Sequence, residues 1–163
     1  MGMQMTFPAR EVSQDTVLKF QVALSRFEQL ECPVRHYFSK GLYLREIFMP
    51  KGAFVVGKLH ATEHPNIISC GDCSVWTAID GMQRIQAPYT WISKPGVKKA
   101  LYIHEDTIWT TCHVTDKTDL DELERELIIE QPTDGGFSPE EADAMAMALS
   151  NEVRSLLQLE YLV

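Results

Sequence analysis

The sequence predicts a mainly β domain, a jelly roll or small barrel flanked by an N-terminal helix and one or two C-terminal helices. Three observations carry this expectation. Between residues 37 and 115 the chain divides into short runs of strand-forming residues separated by turn residues. On either side of that region the apolar spacing changes to that of an amphipathic helix. Finally, 163 residues, 45% hydrophobic and 23% charged, support one globular domain and leave little for a second. The expected organisation is a single domain over 1–163, with a helix at 13–31, a barrel at 37–115 and a helical extension at 118–163.

The first helix rests on Val17, Phe20, Leu24, Phe27 and Leu30, which recur at three-to-four spacing and form one apolar stripe. Pro33 ends it. Strands are then expected at 42–49, 53–61, 66–69, 74–79, 83–86, 90–92, 99–103 and 107–114. Turns are expected at Ser39-Lys40-Gly41, Pro50-Lys51-Gly52, Gly71-Asp72, Asp80-Gly81, Lys94-Pro95-Gly96 and His104-Glu105-Asp106. So many short strands favour a closed or double-sheet architecture, which limits exposed sheet edges. Beyond them, Thr118 with Asp119-Leu120-Asp121 reads as a capping box, and Ser138-Pro139-Glu140-Glu141 combines a cap, an N1 proline and an N3 acid. The segment 131–137, with Pro132 and Gly135-Gly136, is a loop. The last helix carries Ala142, Met145, Leu149, Val153 and Leu156 on one stripe, to be buried against the barrel or a second subunit in a homodimer.

Charge and cysteine usage exclude several functions. A net charge of −8 argues against a nucleic-acid or anionic-membrane footprint, since both need concentrated positive charge. No apolar run approaches the roughly 18 residues of a membrane-spanning helix, and Met1 to Arg10 lacks the apolar core of a signal peptide, so a cytoplasmic location is expected. Cys32, Cys70, Cys73 and Cys112 are too few and scattered for a disulfide framework. Cys70 and Cys73 bracket Gly71-Asp72, so they read as incidental thiols at the ends of a hairpin rather than as half of a zinc or redox site.

The residues with chemistry lie between Gly52 and Gly71. The spacing runs Gly52, five residues, Lys58, one residue, His60, three residues, His64, six residues, Gly71. This resembles the first cupin motif, in which a glycine precedes His-x-His, a glutamate follows three or four residues later, and a glycine closes the motif. Lys58 stands at the first histidine position and His64 at the glutamate position. Lys94-Pro95-Gly96 is similar to the Pro-x-Gly turn of the second cupin motif, with Lys99 at its histidine position and Pro88 where its leading glycine would fall. The resemblance covers about half of the chain and implies a cupin-type jelly roll, a fold that commonly dimerises and commonly holds a divalent metal such as Zn, Fe, Ni or Mn. The stretches Tyr37-Phe38-Ser39-Lys40-Gly41-Leu42-Tyr43 and Glu105-Asp106-Thr107-Ile108-Trp109-Thr110-Thr111 are also similar to small cupin-like proteins of bacteriophages, which brings a virion or host-cytoplasm setting into view.

Strand alternation would place Phe54, Val56, Lys58 and His60 on one face, with His64 opposite His60 on the next strand. If Lys99 pairs with Thr111 across a hairpin at 104–106, then Trp109, Thr111 and His113 share the face of Lys99. The expected pocket is lined by Lys58, His60, His64, Lys99, Trp109 and His113. One reading is a divalent-metal enzyme site on His60, His64 and a third group, His113 or Glu63, because imidazole suits zinc, iron, nickel and copper. Against it stand the two ammonium groups, each costing roughly 4 kcal/mol at about 4 Å and an effective dielectric of about 20. In the preferred reading, Lys58, Lys99 and the imidazoles receive a small anionic molecule with Trp109 as an apolar wall. A third is a structural or interaction protein, a virion component or anti-host factor with a phage or host partner, whose barrel histidines are merely hydrogen-bonded core residues. Glu63 should point away from His64 as a solvated carboxylate, His36 and His104 lie near turns, and Trp76 and Trp91 belong to the core. No nucleophile elbow and no phosphate-binding loop occur in the sequence.

Overall fold

A computed structural model describes residues 14–131 and 134–160, apart from the side chains of 150 and 152–160. The element order is α1 (Gln14–Leu24), β1 (Val34–Ser39), β2 (Leu42–Met49), β3 (Phe54–Val56), β4 (His64–Thr77), β5 (Gly81–Gln86), β6 (Tyr89–Ser93), β7 (Lys99–Val114), α2 (Leu120–Leu127) and α3 (Pro139–Glu160). All strand pairings are antiparallel, in the order β1-β2-β7-β4-β5, with β3 added to β7 and β6 to β4. The mainly β jelly-roll class with helices at both ends is therefore the observed one.

Two expected hairpins are instead continuous strands. Gly71-Asp72 does not turn the chain: β4 runs through it for 14 residues, and β7 runs through His104-Glu105-Asp106 for 16. Lys99 and Thr111 consequently lie on one strand, and the partner of Lys99 is Thr77. The turn signals mark a bend. Pairing between β4 and β7 shifts register three times between Ile68 and Cys73, as bulges do when they sharpen strand curvature. Gly71 makes the bend tolerable: its φ is +108°, and a Cβ there would stand 2.3 Å from Thr107 Oγ1 and 2.6 Å from the Asp106 carbonyl oxygen. Cys70 is exposed and Cys73 fully buried, so the two thiols do not converge.

The bend brings the two ends of the ribbon together. His64 opens β4, while Lys99 pairs with Thr77 at its far end, a separation of roughly 40 Å along a straight strand. Both nevertheless line one cavity. The ribbon curls around a core of Met49, Ile68, Cys73, Val75, Ile85, Leu101, Ile103 and Trp109. Burial alternates along β4 from His64 to Ile68 and along β7 from Thr107 to His113, which pins the register, since a slip by one residue would carry Ile68 and Trp109 to solvent.

Helix boundaries depart from expectation at two places. α1 stops at Leu24 rather than continuing to residue 31, because the Gln29 side chain donates to the Leu24 and Phe27 carbonyls and Ser25 Oγ bonds to the Val22 carbonyl. Leu30 of the supposed stripe is exposed. The N-cap of α2 is Asp119, not Thr118: its carboxylate accepts from the amides of Asp121 and Glu122. The Ser138 box forms as read, with Ser138 Oγ accepting from the Glu141 amide and Glu141 Oε2 from the Ser138 amide. α3 packs on α1, anchored by the Arg26–Asp143 ion pair at 3.1 Å. Val153 and Leu156 lie outside the described side chains.

Candidate metal centre

Neighbouring strands build the site in rungs. On the inner face Ile47 of β2, Trp109 of β7 and Ile68 of β4 form one rung, and Arg45, Thr111 and Asn66 the next. Above them Tyr43 pairs with His113, and His64 lies two residues before Asn66 on β4. The ring centroids of His64 and His113 are 4.9 Å apart. His60 arrives differently. The expected strand 53–61 ends at Val56, and His60 forms only an isolated bridge with Ile128. Its segment is clamped by hydrogen bonds from the Ala61 amide to the Leu127 carbonyl, from the Ile129 amide to the Leu59 carbonyl, and from the Gly96 amide to the His60 carbonyl. Thus α2, docked through Leu123 and Leu127 onto Tyr43, supplies what a strand would have supplied.

The three imidazoles converge. His60 stands 4.3 Å from His64 and 5.2 Å from His113 between centroids, and one nitrogen from each ring lies within 4.8 Å of the others. His64 Nδ1 lies 2.9 Å from the Thr62 carbonyl, which accepts its proton and leaves Nε2 with a free lone pair. The Thr111 hydroxyl bonds to the Arg45 carbonyl and so accepts from His113 Nε2 at 3.2 Å, leaving His113 Nδ1 deprotonated. His60 Nδ1, His64 Nε2 and His113 Nδ1 are all buried without a partner. Burial, reinforced by the neighbouring imidazoles and by Lys99 and Arg45, pulls the pKa of His60 down to about 3. Burial, His64 and Arg45 pull that of His113 down to about 4. His64 is also lowered, by burial first and then by Lys99, against an opposing contribution from its bond to Thr62. At neutral pH the cluster is three neutral rings, the form that donates to a metal.

These rings line a cavity of about 530 Å³. The remaining sequence candidates are placed as follows. Trp109 is buried on its wall, with Nε1 donating to Asn66 Oδ1 at 2.9 Å, and Asn66 donates in turn to Ser93 Oγ. Lys99 lines the cavity, 7% exposed, and burial lowers its pKa to about 8. Lys58 does not share an inner face with His60: it is exposed at the cavity mouth and ion-paired with Glu124 of α2. Glu63 points to solvent and pairs with Lys94 at 2.6 Å. His36 is exposed and bonded to the Tyr43 hydroxyl, and His104 is half-buried against Ser74 Oγ.

Sequence reasoning missed Arg45. It lies on the cavity wall, and its charge depresses His60 and His113. The available signal was its parity with Tyr43, Ile47 and Met49 along β2, which places a guanidinium on an otherwise apolar inner face.

No family model matches the chain, and no curated protein matches it in sequence. Solved structures do resemble it. A cupin-2 domain protein from Shewanella frigidimarina has 15% identity and a TM-score of 0.43, over 59% of this chain and 92% of that one. The Cnp3 cupin domain of Schizosaccharomyces pombe has 19% identity and a TM-score of 0.45, over 63% and 76%. The DMSP lyase DddQ of Ruegeria pomeroyi has 14% identity and a TM-score of 0.46, over 54% and 49%.

Proposed function

We propose that this chain is a cupin-type metal protein in which His60, His64 and His113 hold one divalent first-row transition metal beside a cavity sized for a small molecule. The observation that carries this reading is that one nitrogen of each of three clustered imidazoles lies within 4.8 Å of the others, and that each ring has a buried nitrogen without a hydrogen-bond partner. Each such atom costs about 1–3 kcal/mol if left unsatisfied, and three in one cluster of rings is an arrangement that a hydrogen-bonded core would avoid. An all-imidazole set favours zinc, iron, nickel or copper over manganese, which prefers oxygen ligands. Bound there, a divalent ion supplies Lewis acidity undiminished by any carboxylate among the three ligands. The chain's own contribution is orientation and exclusion of water. Thr62 and Thr111 fix the tautomers of His64 and His113, and α2 covers the cavity with Leu123 and Leu127.

The metal-free alternative, an anion pocket built on Lys58 and Lys99, is weakened because Glu124 already engages Lys58. The same pairing takes Lys58 out of the charges that oppose a metal, and Lys99 and Arg45 remain on the cavity wall. Metal analysis of protein purified without added metal tests the reading. About one equivalent per chain is expected in the parent, falling below about a tenth in His60→Ala, His64→Ala and His113→Ala variants that still fold. Parent protein without metal and unable to take up Zn²⁺ or Co²⁺ would refute it.

A further inference from the structure

We infer that the ligand of this cavity is a small organic carboxylate with an apolar body, its acid group received by Lys99 and Arg45 and its body lying on Ile47, Met49 and Leu101. This deepens the metal reading and rests on it. The protein as a whole is strongly acidic, with a net charge of −8, yet the cavity is not. Its walls carry Arg45, Lys58 and Lys99 against only Asp121 and Glu124, and Glu124 is engaged by Lys58. Among the described residues neither the Lys99 ammonium nor the Arg45 guanidinium has a hydrogen-bond or ion-pair partner, although Lys99 is more than nine-tenths buried.

A buried cation without a counter-charge is expensive, and a dication held by three neutral imidazoles would add to the imbalance rather than offset it. The two cations also come from different strands. Arg45 on β2 pairs with Thr111, two residues from His113, whereas Lys99 opens β7 opposite Thr77, and both line the cavity. An acid group in front of the imidazoles would meet positive charge from both. The ligand's remaining chemistry follows from the wall: Ile47, Met49, Val55, Leu101 and Trp109 line the same cavity, so a fully hydrated inorganic anion would leave that surface unused.

Co²⁺-loaded protein titrated with butyrate, followed by the cobalt d–d spectrum and by calorimetry, tests the inference. Butyrate should bind, acetate and inorganic phosphate at least about tenfold more weakly, and the uncharged isostere butyramide not measurably. Lys99→Met and Arg45→Met should each weaken butyrate by at least about tenfold, the loss of one charged hydrogen bond, while retaining Co²⁺. Butyramide or phosphate binding as tightly as butyrate would overturn the inference, as would variants that bind butyrate like the parent. If a variant fails to fold, the comparison of butyrate with butyramide on the parent decides. If Co²⁺ is not retained, the metal reading has failed separately. Butyrate binding to metal-free protein that is lost in Lys99→Met then sustains the carboxylate assignment, and its absence overturns that too.

Discussion

Acidification should destabilise the metal-free protein through the histidine cluster well before the carboxylates titrate. His60 and His113 have folded pKa values of about 3 and about 4, against 6.5 in an unfolded chain. Between those limits the unfolded chain binds more protons than the folded one, so stability falls as pH falls. The loss begins below pH 6.5 and is complete only near the folded values. Going from pH 7 to pH 5, each ring costs about 2 kcal/mol, hence about 4 kcal/mol for the pair, a large fraction of a typical folding free energy. pH 5 separates this from the Asp72–Arg84 pair. The Arg84 guanidinium, hydrogen-bonded at 2.9 Å, lowers Asp72 below its ordinary 3.8, so stabilisation by that carboxylate persists above pH 3.8. Chemical denaturation in the presence of a chelator, at pH 7 and pH 5, measures the drop. A His60→Gln, His113→Gln variant supplies the reference, because it retains His64, His36 and His104, whose pKa values are also lowered, by burial first. Equal stability of the parent at both pH values, or an equal drop in the variant, would refute the reasoning.

Two further outcomes concern the frame of the site. Gly71→Ala should cost about 3 kcal/mol or more, since the added methyl would meet the Asp106 and Thr107 backbone at 2.6 Å in a region of positive φ; a thermal melt reads this directly. Trp109→Phe should cost about 1–3 kcal/mol by leaving Asn66 Oδ1 buried without its donor, and urea denaturation at pH 7 checks it.

What could be read from the sequence was local. The β2 limits, the turns at Gly41, Gly52, Gly81 and Gly96, and the Ser138 capping box depend on a few adjacent residues, and all four glycines have positive φ. What could not be read depended on partners distant in the chain. Gly71-Asp72 has the composition of a hairpin turn, but β7 crosses it closely enough that only a glycine fits, and the strand continues. Val34 to Ser39 was not recognised as a full strand because its burial is nearly uniform: it is an edge strand with five exposed residues and no alternation. In the site, motif spacing groups His60 with His64, but the strand 53–61 and the hairpin at 104–106 that joined His60 and His113 to the pocket are absent, and the three rings meet through the bridge at His60 and the continuous β7 instead. Arg45 could not be joined to them without knowing that β2 lies beside β7, and the diversion of Lys58 depended on Glu124, 66 residues away.

The clamp on His60 sets it apart from the other two imidazoles. His64 and His113 sit in a ladder whose opening requires the central ribbon to come apart. His60 is held by one bond from the Gly96 amide and by a bridge and hydrogen bonds at the end of an eight-residue helix, a length with little stability of its own. The triad therefore has two anchored members and one hinged member. Fraying of α2 would leave His60 tethered by the Gly96 amide alone, withdraw Leu123 and Leu127 from over the cavity and free Lys58 from Glu124 in a single local event. Opening of one short helix would thus loosen one of the three imidazoles while the barrel stays folded.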